Sequence, residues 1–141
     1  MTIMDRVNLR SDNVTLERAA EIFAVINFTV IGLSHIAQPG VWVEFFVALR
    51  SLGRAGVFIN GMLSLLVGSI IVALHNDWNG VAALLTFIGW AQVIKGALSL
   101  TVPSIGLRTL MRVSMERAWE FQAGGAMFLA ISAVIAWSWI R

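Results

Sequence analysis

Apolar residues gather into four runs, residues 19–37, 55–74, 81–102 and 123–140, and charge, proline and asparagine return between them. A helix needs about 20 predominantly apolar residues to cross the hydrocarbon core of a bilayer, where every backbone polar group must be satisfied within its own segment. The pattern predicts an all-α integral membrane protein with four transmembrane helices. If the N-terminus marks side A, span one runs to side B and stops at Gln38-Pro39-Gly40, where proline lacks an amide and biases its predecessor away from helical angles. Span two returns and ends in the turn His75-Asn76-Asp77-Trp78-Asn79-Gly80. Span three stops at Val102-Pro103-Ser104, and span four returns to end at Trp137, Ser138, Trp139 and Arg141. Both termini are then expected on side A. Trp78, Trp137 and Trp139 fall at edge A and Trp42 and Trp119 at edge B, the headgroup depth that amphipathic rings favour.

The two connections on side B are long enough to be helices themselves. In residues 107–119, Leu107, Leu110, Met111, Met115, Ala118 and Trp119 form one stripe, and Arg108, Arg112 and Glu116 stack on the opposite face, which predicts an interfacial amphipathic helix. An alternative is that Ser114, followed by Glu116, caps a fresh helix running into span four. Residues 41–52 are more apolar, with Val41, Phe45, Ala48, Leu49 and Leu52 on one side and Glu44 and Arg50 as polar marks. Residues 1–18 form a polar N-terminal segment without the apolar stretch of a secretory signal, and Asp12 or Asn13 is the expected N-cap of the helix that enters span one.

Sliding the chain by 64 residues places Pro39 on Pro103, Gly32 on Gly96, Gly61 on Gly125, Leu65 on Leu129 and Ile71 on Ile135 without a gap. The identities are few. The weight lies in the shared order of span, proline stop, interfacial helix and glycine-bearing span. Two such units of two spans each would be parallel copies related by an axis along the membrane normal.

Composition removes several classes of function. Hydrophobic residues make up 58% and charged residues 13%, well below the charged share of about a quarter in soluble domains, so no separate soluble domain is expected. Cysteine and tyrosine are absent, which excludes disulfides, thiolate nucleophiles and cysteine metal sites. A net charge of +2 from ten basic and eight acidic residues is no footprint for nucleic acid. Arginines divide four to side A (Arg6, Arg10, Arg18, Arg141) and five to side B (Arg50, Arg54, Arg108, Arg112, Arg117). That count does not orient the protein, and the interfacial setting of the second group favours side B as cytoplasmic.

Lys95 is the leading candidate for chemistry, because a lysine at the centre of a span costs about 2.5 to 3.5 kcal/mol on insertion scales. It precedes Val102 by seven residues, about 10 Å along a helix, near enough to the edge for its stem to snorkel. Asn60 and His35 are expected at similar depth and Asn27 and Gln92 near mid-membrane. Together with Lys95 they make a candidate intramembrane polar lining, set against the simpler reading of interhelical hydrogen bonds. His75, Asp77, Trp78 and Glu21 form the interfacial group on side A, where His75 is expected to meet Glu21 or Asp77. His35 and His75 end different spans on opposite sides, about 30 Å apart, so no two-histidine metal or haem site is expected. No catalytic motif or phosphate loop is present. Ser64, Gly61, Gly68, Gly124, Gly125 and Ala130 mark faces for close helix approach, within one chain or between chains.

The string Ser34-His35-Ile36-Ala37-Gln38-Pro39, the turn His75-Asn76-Asp77-Trp78, and Gly89-Trp90 followed by Lys95-Gly96 and Pro103 resemble a group of bacterial four-span membrane proteins that carry a His-Asn-x-Trp turn. The resemblance covers the chain from about Thr15. It implies the four-span fold and a bacterial inner (cytoplasmic) membrane, and it carries no assigned activity. Glu21 in span one is also similar to the small multidrug resistance transporters, which lack long helices between spans. The expected function is non-enzymatic association, as a homo-oligomer or an accessory subunit of a membrane complex, with membrane lipids as neighbours and no cofactor. The alternative is a channel or transporter for a proton, ion or small solute, lined by Lys95, Gln92, Asn27 and Asn60. More distant is chemistry on a lipid or quinone, with His75 and Glu21 as acid and base.

Overall fold

The computed structural model describes the backbone of residues 3–140 and the side chains of residues 15–140. Six α-helices follow one another: α1 (Ile3–Ala37), α2 (Pro39–Ser51), α3 (Arg54–Leu74), α4 (Ala82–Thr101), α5 (Pro103–Met111) and α6 (Trp119–Ser138), with a 3₁₀ turn at Met115–Arg117. Four segments are long and apolar enough to cross a membrane: Thr15–Ala37, Arg54–Leu74, Ala82–Thr101 and Met115–Ser138. The chain is an all-α integral membrane protein.

Proline sets two of the boundaries. Pro39 and Pro103 open α2 and α5 in the first turn, where a missing amide costs nothing, and Gln38 (φ −135°, ψ 54°) and Val102 (φ −129°, ψ 73°) break the preceding helices. The N–H of each breaking residue still closes the helix behind it, Gln38 to the Ser34 carbonyl and Val102 to the Leu98 carbonyl, both at 2.8 Å. Between α2 and α3 the chain turns at Gly53, whose φ of +60° lies in the left-handed region that glycine occupies without strain. The turn is so tight that a Cβ on Gly56 would stand 1.8 Å from the Leu49 carbonyl oxygen.

Two boundaries depart from the sequence reading. The helix of span one begins at Ile3, so Asp12 and Asn13 lie inside it and neither is its N-cap, and the polar N-terminal segment is helical from Ile3 onward. The predicted helix over 107–119 is also broken: α5 ends at Met111, Ser114 is extended (φ −151°, ψ 160°), and a new 3₁₀ turn leads into α6. The fresh start at Ser114 is the alternative drawn from the sequence, although the Ser114 side chain makes no capping bond. Of the predicted stripe, Leu110 is buried, whereas Met111 and Met115 are exposed on the surface of the chain. Arg108, Arg112 and Glu116 are exposed as expected.

The spans pack as two antiparallel pairs, α1 against α6 and α3 against α4, with a slighter contact between α1 and α3. Ala24, Phe28, Ile71, Leu85 and Ile135 form the core where the pairs meet. A second cluster, Leu49, Val57 and Leu110, ties α2, α3 and α5 together at end B.

Both pairs are closed by glycine, and the contacts recur at a constant offset. A Cβ on Gly125 would lie 2.6 Å from the Gly32 carbonyl oxygen and 2.8 Å from Cβ of His35, while a Cβ on Gly61 would lie 3.4 Å from the Gly96 carbonyl oxygen and 2.8 Å from Cβ of Ser99. Gly32 faces Leu129 in the first pair, and Gly96 faces Leu65 in the second. Ser132 donates to the Val25 carbonyl at 3.2 Å and meets Thr29 at 2.7 Å, and in the other pair Gly68 abuts the Gly89 carbonyl and Val93. Each residue of one set stands 64 positions from its counterpart in the other. Gly61, Gly68 and Gly125 are thus spent on packing within the chain, whereas Gly124 faces open space.

Candidate functional site

The outer face of α4 carries the main concavity. Phe87, Trp90, Ala91, Ile94, Lys95 and Leu98 of α4 form its floor, Asn60 of α3 one border, and Ile105, Gly106 and Thr109 of α5 the end toward side B, enclosing about 610 Å³. Trp78 closes the end toward side A. The groove is formed because α5, released by Pro103, folds back across α3 and α4. Gly106 permits this, since a Cβ there would lie 2.4 Å from Cγ1 of Val57 and 3.4 Å from Oγ of Ser99. The walls are mostly apolar, and Lys95, Asn60, Ser99 and Thr109 bring polar groups together toward the side B end.

Lys95 is exposed on this outward face; its carbonyl accepts the Ser99 hydroxyl at 2.8 Å, while its ammonium makes no hydrogen bond or ion pair with any described residue. Of the side B carboxylates, Glu120 is paired with Arg117 through Nε at 2.7 Å and through Nη2. Asn60 also borders the groove. The other members of the predicted polar lining do not join them. Asn27 donates from Nδ2 to the Phe23 carbonyl of its own helix at 2.8 Å. Gln92 is half-buried with its Cβ facing the Gly68 contact between α3 and α4.

His35 belongs to an aromatic layer at end B. Its Nδ1–H donates to the Ile31 carbonyl at 2.8 Å, and its ring stacks on Trp42 at 4.2 Å with Phe121 at 5.5 Å. Trp42 in turn donates from Nε1 to Ser34 Oγ at 3.0 Å. The ring therefore fastens α2 over α1 and α6.

On side A the predicted pairing of His75 with Glu21 does not form. His75, 2% exposed, donates from Nε2 to the Ala82 carbonyl at 3.1 Å, while its buried Nδ1 has no partner among the described residues. Glu21 instead accepts from Trp139 Nε1 at 2.8 Å and from Arg18 at 3.3 Å, with the Arg18 guanidinium 4.1 Å above the Trp139 ring. That cluster joins the side A ends of α1 and α6. Asp77 accepts the backbone N–H of Asn79 at 2.9 Å and its side-chain amide at 2.7 Å. These two donors hold its carboxyl below the ordinary carboxylate range, with a smaller contribution from the charge of His75. Thr86 donates to the Asp77 carbonyl at 2.6 Å, and Trp90 donates to Asn76 Oδ1 at 3.3 Å. The turn is thereby pinned to the first three turns of α4, the helix that bears the groove.

Sequence reasoning identified Lys95 and Asn60 but not Ser99, Thr109 or Gly106, whose relation to them depends on α5 folding back. Among the described residues no group of three histidine, aspartate or glutamate side chains forms a metal site. No protein-family model matches the chain, and neither a curated protein nor a solved structure does.

Proposed function

We propose that the protein acts by lateral association in a bacterial inner membrane, as a homo-oligomer or an accessory subunit of a larger complex, and that the groove on α4 is where it engages a membrane component. The observation that carries this reading is Lys95, an unpaired cation on the outward face of a span, in a groove with apolar walls. An intramembrane charge without a partner among the described residues calls for one outside them. The close-packing residues agree: Gly32, Gly61, Gly68, Gly96 and Gly125 are consumed inside the chain and are not offered to a partner.

The constant 64-residue offset of the glycine contacts supports reading the two halves as parallel copies of one helix–proline–helix–helix unit. Transport draws on the same Lys95 and Asn60, but a conducting route needs its polar groups to converge, and Asn27 and Gln92 are engaged elsewhere. No acid–base pair favours catalysis, since His75 and Glu21 are each bonded to other groups.

Site-specific photo-crosslinking in native membranes tests the reading. A photoreactive residue at Ile94 in the groove is expected to capture a membrane component reproducibly, and one at the exposed Met62 outside it is expected to capture none above background. Equal labelling at the two positions would reject the groove as the engagement surface.

A further inference from the structure

We propose that the groove binds an anionic phospholipid of the side B leaflet, with the phosphate at Lys95 and one acyl chain along α4 toward the bilayer centre. The proposal rests on the groove being an engagement surface and names what it engages.

Charge is the first argument. Arg54 borders Pro103, Ser104 and Leu107 of α5, Arg108 adjoins the groove residue Thr109 and Arg112 follows the end of α5, and with Lys95 they are four cations lacking an ion-pair partner among the described residues. Between residues 54 and 115 the only carboxylate is Asp77, at the opposite end of the molecule. A cationic cluster at a helix end, beside an apolar cleft between spans, is the arrangement that attracts an acidic headgroup.

Shape and depth agree. From Lys95 to Phe87 the floor runs eight residues, about 12 Å, so with the Lys95 stem reaching toward side B to meet the phosphate an acyl chain would lie along α4 as far as the middle of a core about 30 Å thick. Along it the walls are apolar, as an acyl chain requires, and the Asn60 amide lines the groove together with Lys95, while the Ser99 and Thr109 hydroxyls donate to the Lys95 and Ile105 carbonyls. The volume of about 610 Å³ lies within the usual range of small-ligand sites.

The third argument is asymmetry between the halves. The positions 64 residues before Lys95 and after Asn60 are Ile31 and Gly124. The first pair of spans therefore makes the same glycine contacts without either polar group, so packing does not require Lys95 or Asn60. A second copy of this chain docking α4 on α4 about a two-fold axis would bring two Lys95 ammonium groups together in a low-dielectric setting, which disfavours that occupant.

Native mass spectrometry of the purified protein, titrated separately with phosphatidylglycerol and phosphatidylcholine, tests the proposal. Phosphatidylglycerol is expected to bind preferentially, Lys95→Leu to weaken it about fivefold with little change for phosphatidylcholine, and Lys95→Arg to retain it. Ile94→Trp, which fills the groove and keeps the charge, is expected to displace the lipid and keeps the test decisive should Lys95→Leu fail to fold. Equal binding of the two lipids, or unchanged phosphatidylglycerol binding in Lys95→Leu and Ile94→Trp, would overturn the lipid assignment. Capture of a protein instead of a lipid by the photoreactive residue at Ile94 would also overturn it while leaving the groove as an engagement surface. Absence of any capture would reject the underlying reading itself.

Discussion

Asp77 shows how much one side chain does in the turn between α3 and α4. Its carboxylate gathers two donors from Asn79, and its carbonyl receives the Thr86 hydroxyl from α4. Because the donors favour the ionised form, the folded-state value is lowered below the unfolded one. The stabilisation is therefore present above the unfolded value and lost only as pH falls through the folded one. The expected outcome is an Asn79 amide resonance that titrates with a midpoint below the ordinary aspartate value. Asp77→Asn should abolish that titration. A midpoint at or above the ordinary aspartate value would contradict the arrangement. At this scale the sequence was legible where chemistry is unusual for its setting: Lys95 stands out because it interrupts an apolar run. Partners were not legible. Trp139 taking Glu21, and Ala82 taking His75, follow from which helix ends meet, and local spacing does not contain that information.

Helices were legible because lipid leaves the backbone few alternatives, and the spans end where Pro39, Pro103 and the Asn-rich turn place them. What failed was the reading of polar segments beside spans, where the bilayer no longer dictates the outcome. The first helix extends through Asp12 and Asn13, and the stripe of 107–119 is cut at Ser114 although its side-chain periodicity continues. Periodicity reports which residues share a face if the helix continues, and cannot report that it stops. Gly61, Ser64, Gly68 and Gly125 stand on packing faces, which the fold assigns to α1–α6 and α3–α4, whereas Gly124 faces open space and Ala130 is exposed. Gly68 gives a direct check. Its Cβ position lies 2.6 Å from the Val93 backbone nitrogen and 2.7 Å from the Gly89 carbonyl oxygen, so neither neighbour is a side-chain tip that can swing away. Gly68→Leu is expected to cost at least about 1–3 kcal/mol by overpacking. Scanning fluorimetry should show the midpoint fall by about 5–10 °C, with destabilisation of the monomer. Gly124→Ala, at an open position in α6, should be neutral or slightly stabilising, because alanine is the better helix former. Equal effects from the two substitutions would argue that the α3–α4 contact is not as close as described.

At the scale of the whole molecule, two pairs of spans use one packing scheme and differ in what they add to it. The first half caps its side B end with the rings of His35 and Trp42, and the second half carries Ser99 and Gly106 at the corresponding positions, which lets α5 settle onto α3 and α4. Lys95 appears only in the second half, where its counterpart is Ile31. If a lysine at this depth were part of the packing, replacing it would weaken the fold; if it serves an external ligand, replacing it would relieve the fold of a desolvated charge. Lys95→Ile imports the residue that the first half already uses at the equivalent place. It is expected to fold with a thermal midpoint at or above that of the original chain in zwitterionic lipid, since a charged residue within a span costs about 2.5 to 3.5 kcal/mol on insertion scales and isoleucine is favourable there. In membranes rich in anionic lipid that advantage should shrink or reverse, because only the lysine-bearing chain gains from the headgroup. The comparison needs two midpoints for each protein, one per lipid. A Lys95→Ile chain that is equally less stable in both lipids would make Lys95 a structural residue and remove the ground for a site at the groove.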